Sequence, residues 1–366
     1  MKISCERDKF AQAFQLAASV AAVRDVKPVL QNVKIKVEKK GVLLQATDTE
    51  LGIRLFLDNC ETIEKGEAIL PTKRLKMILT ESSEEKLQIE SDQDKTVVSG
   101  TRSRFTLTTQ PPDEFPDVED FSETAYHEIP AKSLREMIRR TLFATDTDNA
   151  KYALGGVFFE LIDENAAVVA TDGRRLAYQS GHVQCVNNHK VETSIFPART
   201  LQLVERALSD DEEPVKIAVS TNRALFQYKN TVFFTRLVEG RFPRWRSIIP
   251  ENEGRTQIDI LCGALFSAVR QAAVVTSEKQ PGVRFVFENG KLELLGHGSE
   301  IGDSSVELPI SYTGSKKELK LDPKFMADVL KVLEPEKNLS LFISDGDPFT
   351  IQTDDSYIYI VMPLSQ

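Results

Sequence analysis

Residues that usually carry chemistry are scarce in this chain. Four histidines and four cysteines are spread over 366 residues, which leaves few general bases, thiol nucleophiles or metal ligands. Cys5, Cys60, Cys185 and Cys262 form no CxxC pair, which suits reduced thiols in a cytoplasm. There is no GxxxxGK[ST] phosphate loop, no GxSxG elbow and no HExxH helix. No run approaches the roughly 18 apolar residues of a membrane span. The opening MKISCERDKF lacks the apolar core of a signal peptide. The expectation is a cytoplasmic interaction protein with no catalytic residue, no cofactor and no metal.

Two near-motifs fall short of a metal site. HVQCVNNHK places His182, Cys185 and His189 close together, but a fourth ligand is missing and the asparagines suggest a loop. SDGDPF carries Asp345 and Asp347 without the downstream glutamate of a calcium loop. Positive charge is also short, with 46 Lys and Arg against 55 Asp and Glu and a net charge of −9. Spread evenly, that balance would argue against a nucleic-acid partner. It is not spread evenly.

What the chain has in quantity is repetition. Apolar periodicity predicts six amphipathic helices: DKFAQAFQLAAS, TKRLKMIL, AKSLREMIRRTL, PARTLQLVERAL, CGALFSAVRQAAVV and PKFMADVLKVL. Their anchors Phe10, Leu75, Leu134, Leu201, Leu265 and Phe325 recur roughly every 60 to 67 positions. Between them the period turns to two. NVKIKVEKKGVLLQATD, GGVFFELIDENAAVVATD and GVRFVFENGKLELLGHG read as hairpins. AILPTKRL, SIFPARTL and LKLDPKFM each set a proline near a helix start. One helix plus about four strands, used six times, gives an α+β protein of three similar domains. The Phe-Pro linkers QPPDEFPDVEDF and EGRFPRWRSIIP place the domains at 1–121, 122–250 and 251–366.

The phrase Ala-Thr-Asp closes an apolar run twice, in ATDTELGI around Asp48 and in ATDGRRLA around Asp172. Equivalent places in different domains argue against one shared carboxylate site. A hairpin-end Asp capping backbone amides is the plainer reading. The charge divides by element too. The six helix windows hold 14 Lys or Arg and 5 Asp or Glu, so they carry +9 and the remainder −18. Lys132, Arg135 and Arg139 share a face, as do Lys73 and Lys76, Arg199 and Arg206, and Lys324 and Lys331. A basic surface within an acidic body fits a duplex backbone and carries no base-reading groups.

RSRFTLTTQPPDEFP, ATDGRRLA, RLVEGRFP, SEKQPGVR and YIVMPL resemble the bacterial sliding-clamp family, the beta subunits of DNA polymerase III, and the similarity is co-linear end to end. The resemblance implies tandem clamp domains that close head to tail as a homodimer into a six-domain ring. Helices would line the hole around double-stranded DNA. The implied function is processivity, with no catalytic step. The implied partners are the polymerase III alpha subunit, the delta subunit of an ATP-driven loader, and other polymerases and repair proteins carrying clamp-binding peptides.

By position, Arg24, Lys73, Arg74, Tyr152, Arg199 and Arg246 resemble DNA-facing residues. Arg102, Arg104, Phe105 and Leu107 would meet Val274 and Val275 of a second subunit. Leu154, Thr171, Gly173, Arg174, Arg175, Leu176, Pro243, Ile248, Ile360, Met362, Pro363 and Leu364 match the partner-peptide pocket. Leu154, Leu176, Ile248 and Met362 would supply its apolar surface. ATDTELGI lacks the Gly-Arg-Arg insert and is expected to be mute. Arg244 and Trp245 depart from the Asp-Tyr more usual in the family. Two other functions compete with this one: a metal-dependent phosphohydrolase using Asp48 or Asp172, and an assembly scaffold without DNA contact.

Overall fold

The structure, a computed structural model, describes residues 1–22, 27–92, 94–146, 153–277, 282–344 and 346–365. Six α-helices form where the periodicity predicts them. They are α1 (Arg7–Val20), α2 (Thr72–Glu81), α3 (Ala131–Thr141), α4 (Ala198–Ala207), α5 (Cys262–Ala272) and α6 (Pro323–Val332). Each buries one stripe. In α1, Phe10, Ala13, Phe14 and Ala17 are buried at i, i+3, i+4 and i+7. In α6, Met326, Val329 and Leu330 do the same. Removing each larger side chain from water contributes roughly 1.5–3 kcal/mol.

The prolines stand where helix entry tolerates a missing N–H. Pro71 precedes α2, Pro197 precedes α4, and Pro323 is the first residue of α6. At α6 the Asp322 carboxylate also accepts from the Lys324 amide at 2.8 Å, a cap worth about 1 kcal/mol.

The chain forms two compact units. One holds residues 1–135, 184–191 and 199–237, and the other holds 136–183, 192–198 and 238–366. In the first, a five-stranded sheet runs Glu61–Glu64, Lys2–Glu6, Lys86–Ser91, Lys95–Ser99 and Arg104–Thr108. A nine-stranded sheet runs from Gln184–Val186 to Gly66–Leu70. In the second unit an eight-stranded sheet runs from Thr193–Pro197 to Thr256–Leu261. A four-stranded sheet there has the order Gly302–Pro309, Lys291–Gly298, Val283–Glu288 and Lys317–Leu321.

Hairpin chemistry sets the local pairing. Asn289 and Gly290 take φ of 48° and 80°, which suits the primed turn that Asn-Gly favours. Glu288 then pairs with Lys291. The two large sheets do something the repeat does not announce. Each continues across a predicted domain boundary. Thr231–Arg236 pairs with Leu51–Leu57, Phe234 opposite Gly52. Arg175–His182 pairs with Tyr357–Val361, Leu176 opposite Ile360.

Candidate functional site

The repeated Thr-Asp phrase is a repeated turn. In the second copy the Thr171 hydroxyl donates to the Arg175 carbonyl at 2.6 Å and accepts from the Gly173 amide at 3.1 Å. The Asp172 carboxylate accepts from the Arg174 and Arg175 amides at 2.9 and 3.0 Å. In the first copy Thr47 donates to the Leu51 carbonyl at 2.8 Å and accepts from Thr49 at 2.9 Å. Asp48 accepts from Glu50 and Leu51 at 3.1 and 2.8 Å. The two turns have the same length and the same bonds, so Gly-Arg-Arg is a replacement in place and not an insert. The third residue has positive φ in both, 77° at Thr49 and 86° at Gly173. An added Cβ at Gly173 would meet nothing within 4 Å, so the backbone angle alone favours glycine there.

The spare carboxylate oxygens are also committed. Asp172 accepts from Arg175 Nε at 3.0 Å, and Asp48 pairs with Arg199. Neither Asp is left open as a metal ligand or base in the way a phosphohydrolase would require. Among the described residues no group of three or more His, Cys, Asp or Glu side chains is arranged to hold a metal ion.

Arg174 and Arg175 diverge in role. Arg175 is 8% exposed. Its guanidinium donates to Asp328 of α6 at 2.7 Å and to the Phe143 carbonyl at 2.7 Å, and it lies 4.3 Å from the Phe325 ring. It therefore fastens the turn to α6. Arg174 is exposed, 4.9 Å from the same ring, and its carbonyl accepts from the Met362 amide at 2.9 Å. The C-terminal segment is so tied to the turn, and tied again where Leu364 donates to the Lys320 carbonyl at 2.8 Å.

Beneath this junction lies an apolar cluster. It contains Ala153, Val169, Leu176, Phe242, Trp245 and Ile360, with Tyr178 and Ile358 packed against it. Leu154 and Leu176 are buried at 6% and 1%, whereas Ile248 and Met362 are exposed at 39% and 48%. The four residues expected to share one apolar surface thus divide into two buried and two displayed side chains. Trp245 stacks on Tyr178 at 5.1 Å. Arg246 lies over the Trp245 ring at 4.2 Å and pairs with Glu160, so Trp245 works as a packing platform.

The basic residues also sort into two kinds. Lys73 and Arg74 on α2 are exposed, with no ion pair to either among the described residues. Arg199 is half exposed and held by Asp48. Arg24 and Tyr152 lie outside the described residues. On α3 the basic face is less free than its spacing suggests. Arg135 reaches Glu205 at 3.4 Å and Arg139 reaches Glu334 at 3.3 Å.

Arg140, counted with the positive helix charge, is 1% exposed. It pairs with Glu136, Glu334 and Asp355, and donates to Gln179 at 3.0 Å. Burial alone would raise the Asp355 carboxyl, but hydrogen bonds from Thr353, Lys337 and Arg140 outweigh it and hold it at about 2. Arg140 is structural, and sequence spacing gave no signal of that.

Two of the edge strands among the described residues carry exposed apolar residues on or near them. Arg104–Thr108 ends the five-stranded sheet, with Arg102, Arg104 and Phe105 exposed and Leu107 half-buried. Gly302–Pro309 ends the four-stranded sheet, preceded by Ile301 at 62% exposure. In the same unit Val274 is 74% exposed and Val275 half-buried. The side chains of His127 and His189 pack edge to face at 4.8 Å, and His189 Nε2 accepts from the Val219 amide at 3.1 Å. That bond gives His189 a structural task.

Tandem helix-plus-sheet units, exposed basic residues on helices and a tail tied to the Thr171–Arg175 turn suit a DNA clamp. Models for the N-terminal, central and C-terminal domains of the DNA polymerase III beta subunit match residues 1–119, 128–244 and 246–365. The beta sliding clamp of Haemophilus influenzae is 28% identical over 373 residues, covering all of both chains. That of Escherichia coli K12 is 27% identical over 372 residues with the same coverage. The Pseudomonas aeruginosa clamp, solved bound to griselimycin, superposes with a TM-score of 0.91 at 27% identity over the whole of both chains. The chain belongs to the DNA polymerase III beta subunit family. It is a ring-shaped sliding clamp, the processivity factor of DNA replication.

Proposed function

We propose that this clamp captures partners in the groove formed by the Thr171–Leu176 turn, Leu154, Pro243, Ile248 and the tail residues Ile360, Met362, Pro363 and Leu364. The carrying observation is the Met362 amide bonded to the Arg174 carbonyl, which ties an exposed methionine to the turn whose Leu176 enters the buried apolar cluster; Ile248 is exposed as well. A flexible thioether and a branched aliphatic side chain can adapt to a short Leu- or Phe-containing peptide. Such peptides are carried by the polymerase III alpha subunit, the loader's delta subunit and repair polymerases. Arg175 serves this groove from within by fixing the turn.

The duplex is contacted through phosphates by Lys73, Arg74, Arg199 and Arg246, with Arg24 and Tyr152. Without bonds to base edges such contact carries no sequence preference. The domains divide at 1–121, 122–250 and 251–366. Two subunits close through Arg102, Arg104, Phe105 and Leu107 of one against Val274 and Val275 of the other. The protein acts in the cytoplasm, with no catalytic step of its own, and no described helix is long and apolar enough to cross a membrane.

The groove is tested by deleting residues 362–366 and measuring a polymerase-tail peptide by calorimetry. The expected result is at least a hundredfold loss of affinity with the dimer's sedimentation unchanged. Unaltered affinity would place the groove elsewhere.

A further inference from the structure

Isolated in sequence, two of the four cysteines meet in the fold. Cys5 lies in the strand Lys2–Glu6, and Cys60 immediately precedes Glu61–Glu64. These strands pair antiparallel, Ile3 opposite Thr62 and Ser4 opposite Glu61, so the next rung sets Cys5 against Cys60. Directly opposed residues of an antiparallel pair have Cα atoms roughly 4.5–5.5 Å apart. That spacing falls inside the ~4.4–6.8 Å that a disulfide spans. Both are free thiols, 3% and 8% exposed, and their side chains interact. The Cys5 thiol is further anchored, donating to the Leu87 carbonyl at 3.6 Å on the other flank of its strand. The Cys185 and Cys262 thiols also donate to backbone carbonyls, of His189 and Leu330, but neither shows a contact with another cysteine among the described residues.

We propose that Cys5 and Cys60 form a dithiol site that hydrogen peroxide converts, reversibly, into a cross-strand disulfide. The Cys60 thiolate attacks one peroxide oxygen, the O–O bond breaks, and the departing hydroxide takes a proton to leave as water. Cys60 is then a sulfenic acid. The Cys5 sulfur, giving up its proton, attacks the Cys60 sulfur; the S–O bond breaks and a second water leaves. Two thiols lose two electrons and the peroxide gains them.

The order of events follows from the surroundings. The hydrogen bond with Cys5 lowers the Cys60 pKa and so favours its thiolate, against the opposing effect of burial, while its own contact with Cys60, and then burial, push Cys5 up. Cys60, the more exposed residue of the pair at 8% against 3%, is therefore the one that meets the oxidant. The bond would tie Glu61–Glu64, an edge strand of the five-stranded sheet, to its neighbour. The same segment links Leu51–Leu57 and Gly66–Leu70 of the nine-stranded sheet, so the clip would fasten a strap between the two sheets of this unit.

The test uses the full chain, treated folded with hydrogen peroxide, then denatured, alkylated and mapped by mass spectrometry. The expected product is a peptide pair joined through Cys5 and Cys60, lighter by two hydrogens and restored by dithiothreitol, with Cys262 still alkylated. Cys60→Ser should abolish the pair and return Cys5 to full alkylation. Cys5→Ser should leave Cys60 open to capture as a sulfenic acid by dimedone. The oxidised wild type should melt several degrees above the reduced form. Full alkylation of Cys5 and Cys60 at a peroxide dose that oxidises the exposed Cys185 would overturn the proposal. So would a cross-link that forms only in urea.

Discussion

Thr49 and Gly173 show how one residue separates two copies of the same turn. Both stand at positive φ in turns with matching hydrogen bonds, yet Thr49 is β-branched and suffers the Cβ clash that glycine escapes. Thr49→Gly should raise stability by about 1 kcal/mol in urea unfolding, because the folded turn is relieved by more than the added unfolded-state entropy costs. A loss of stability would mean that the Thr49 side chain compensates its own strain.

His127 is the other residue whose setting makes a measurable difference. Burial, and then the neighbouring His189 ring, push it down to about 4. The unfolded chain, near the ordinary histidine value, therefore binds more protons below about pH 6.5. Stability from this site should be complete above that pH and fade as pH falls toward 4, by about 2 kcal/mol after allowing for partial hydration. His127→Gln should flatten that segment of the stability–pH curve; an unchanged slope would assign the acid sensitivity to other groups. Residues of this kind were illegible in sequence. HVQCVNNHK drew attention to His182, Cys185 and His189, whereas the ring packed against His189 comes from His127, 62 positions earlier.

At the scale of elements, helices were the most legible part. Their apolar stripes are local, so Phe10, Phe14 and Ala17 disclose α1 without reference to anything distant. The three hairpins were legible for the same reason, since each turn and both strands lie in one short segment. Joins between distant strands were not. Nothing local in Leu51–Leu57 states that Thr231–Arg236 will pair with it, because any strand edge offers the same amides and carbonyls. Helix charge was misleading in part. Arg140 follows the basic pattern of α3 but is drawn inward by acidic groups near residues 334 and 355.

Open edges make the element-scale prediction. Arg104–Thr108 and Gly302–Pro309 each leave one row of backbone groups unpaired within their sheets and have exposed apolar residues nearby. An edge of this sort must be covered or it invites association. Head-to-tail closure would cover both in a single step. Phe105→Ala combined with Val274→Asp should move sedimentation toward monomer at micromolar concentration. An unaltered dimer would put the joint on other strands.

For the whole molecule, the proposed groove rests on resemblance. The residues ATDGRRLA and YIVMPL are far apart in sequence, and their meeting depends on the register of Leu176 opposite Ile360. Charge segregation was legible from counting alone: +9 on the helix windows within a chain of net −9. Weak, non-specific phosphate contact cannot by itself keep a protein on DNA through many rounds of synthesis, since such contacts are lost readily as salt rises. A closed ring removes that limit, because leaving a circle of DNA then requires opening the protein.

The most direct measurement of this account is retention on circular against linear DNA. The clamp is loaded with its loader and ATP onto a nicked circular plasmid, and the DNA is then cut once. Co-elution with the intact circle, followed by release on linearisation, is the predicted result. Equal retention on both forms would contradict encirclement and reduce the protein to an ordinary phosphate binder.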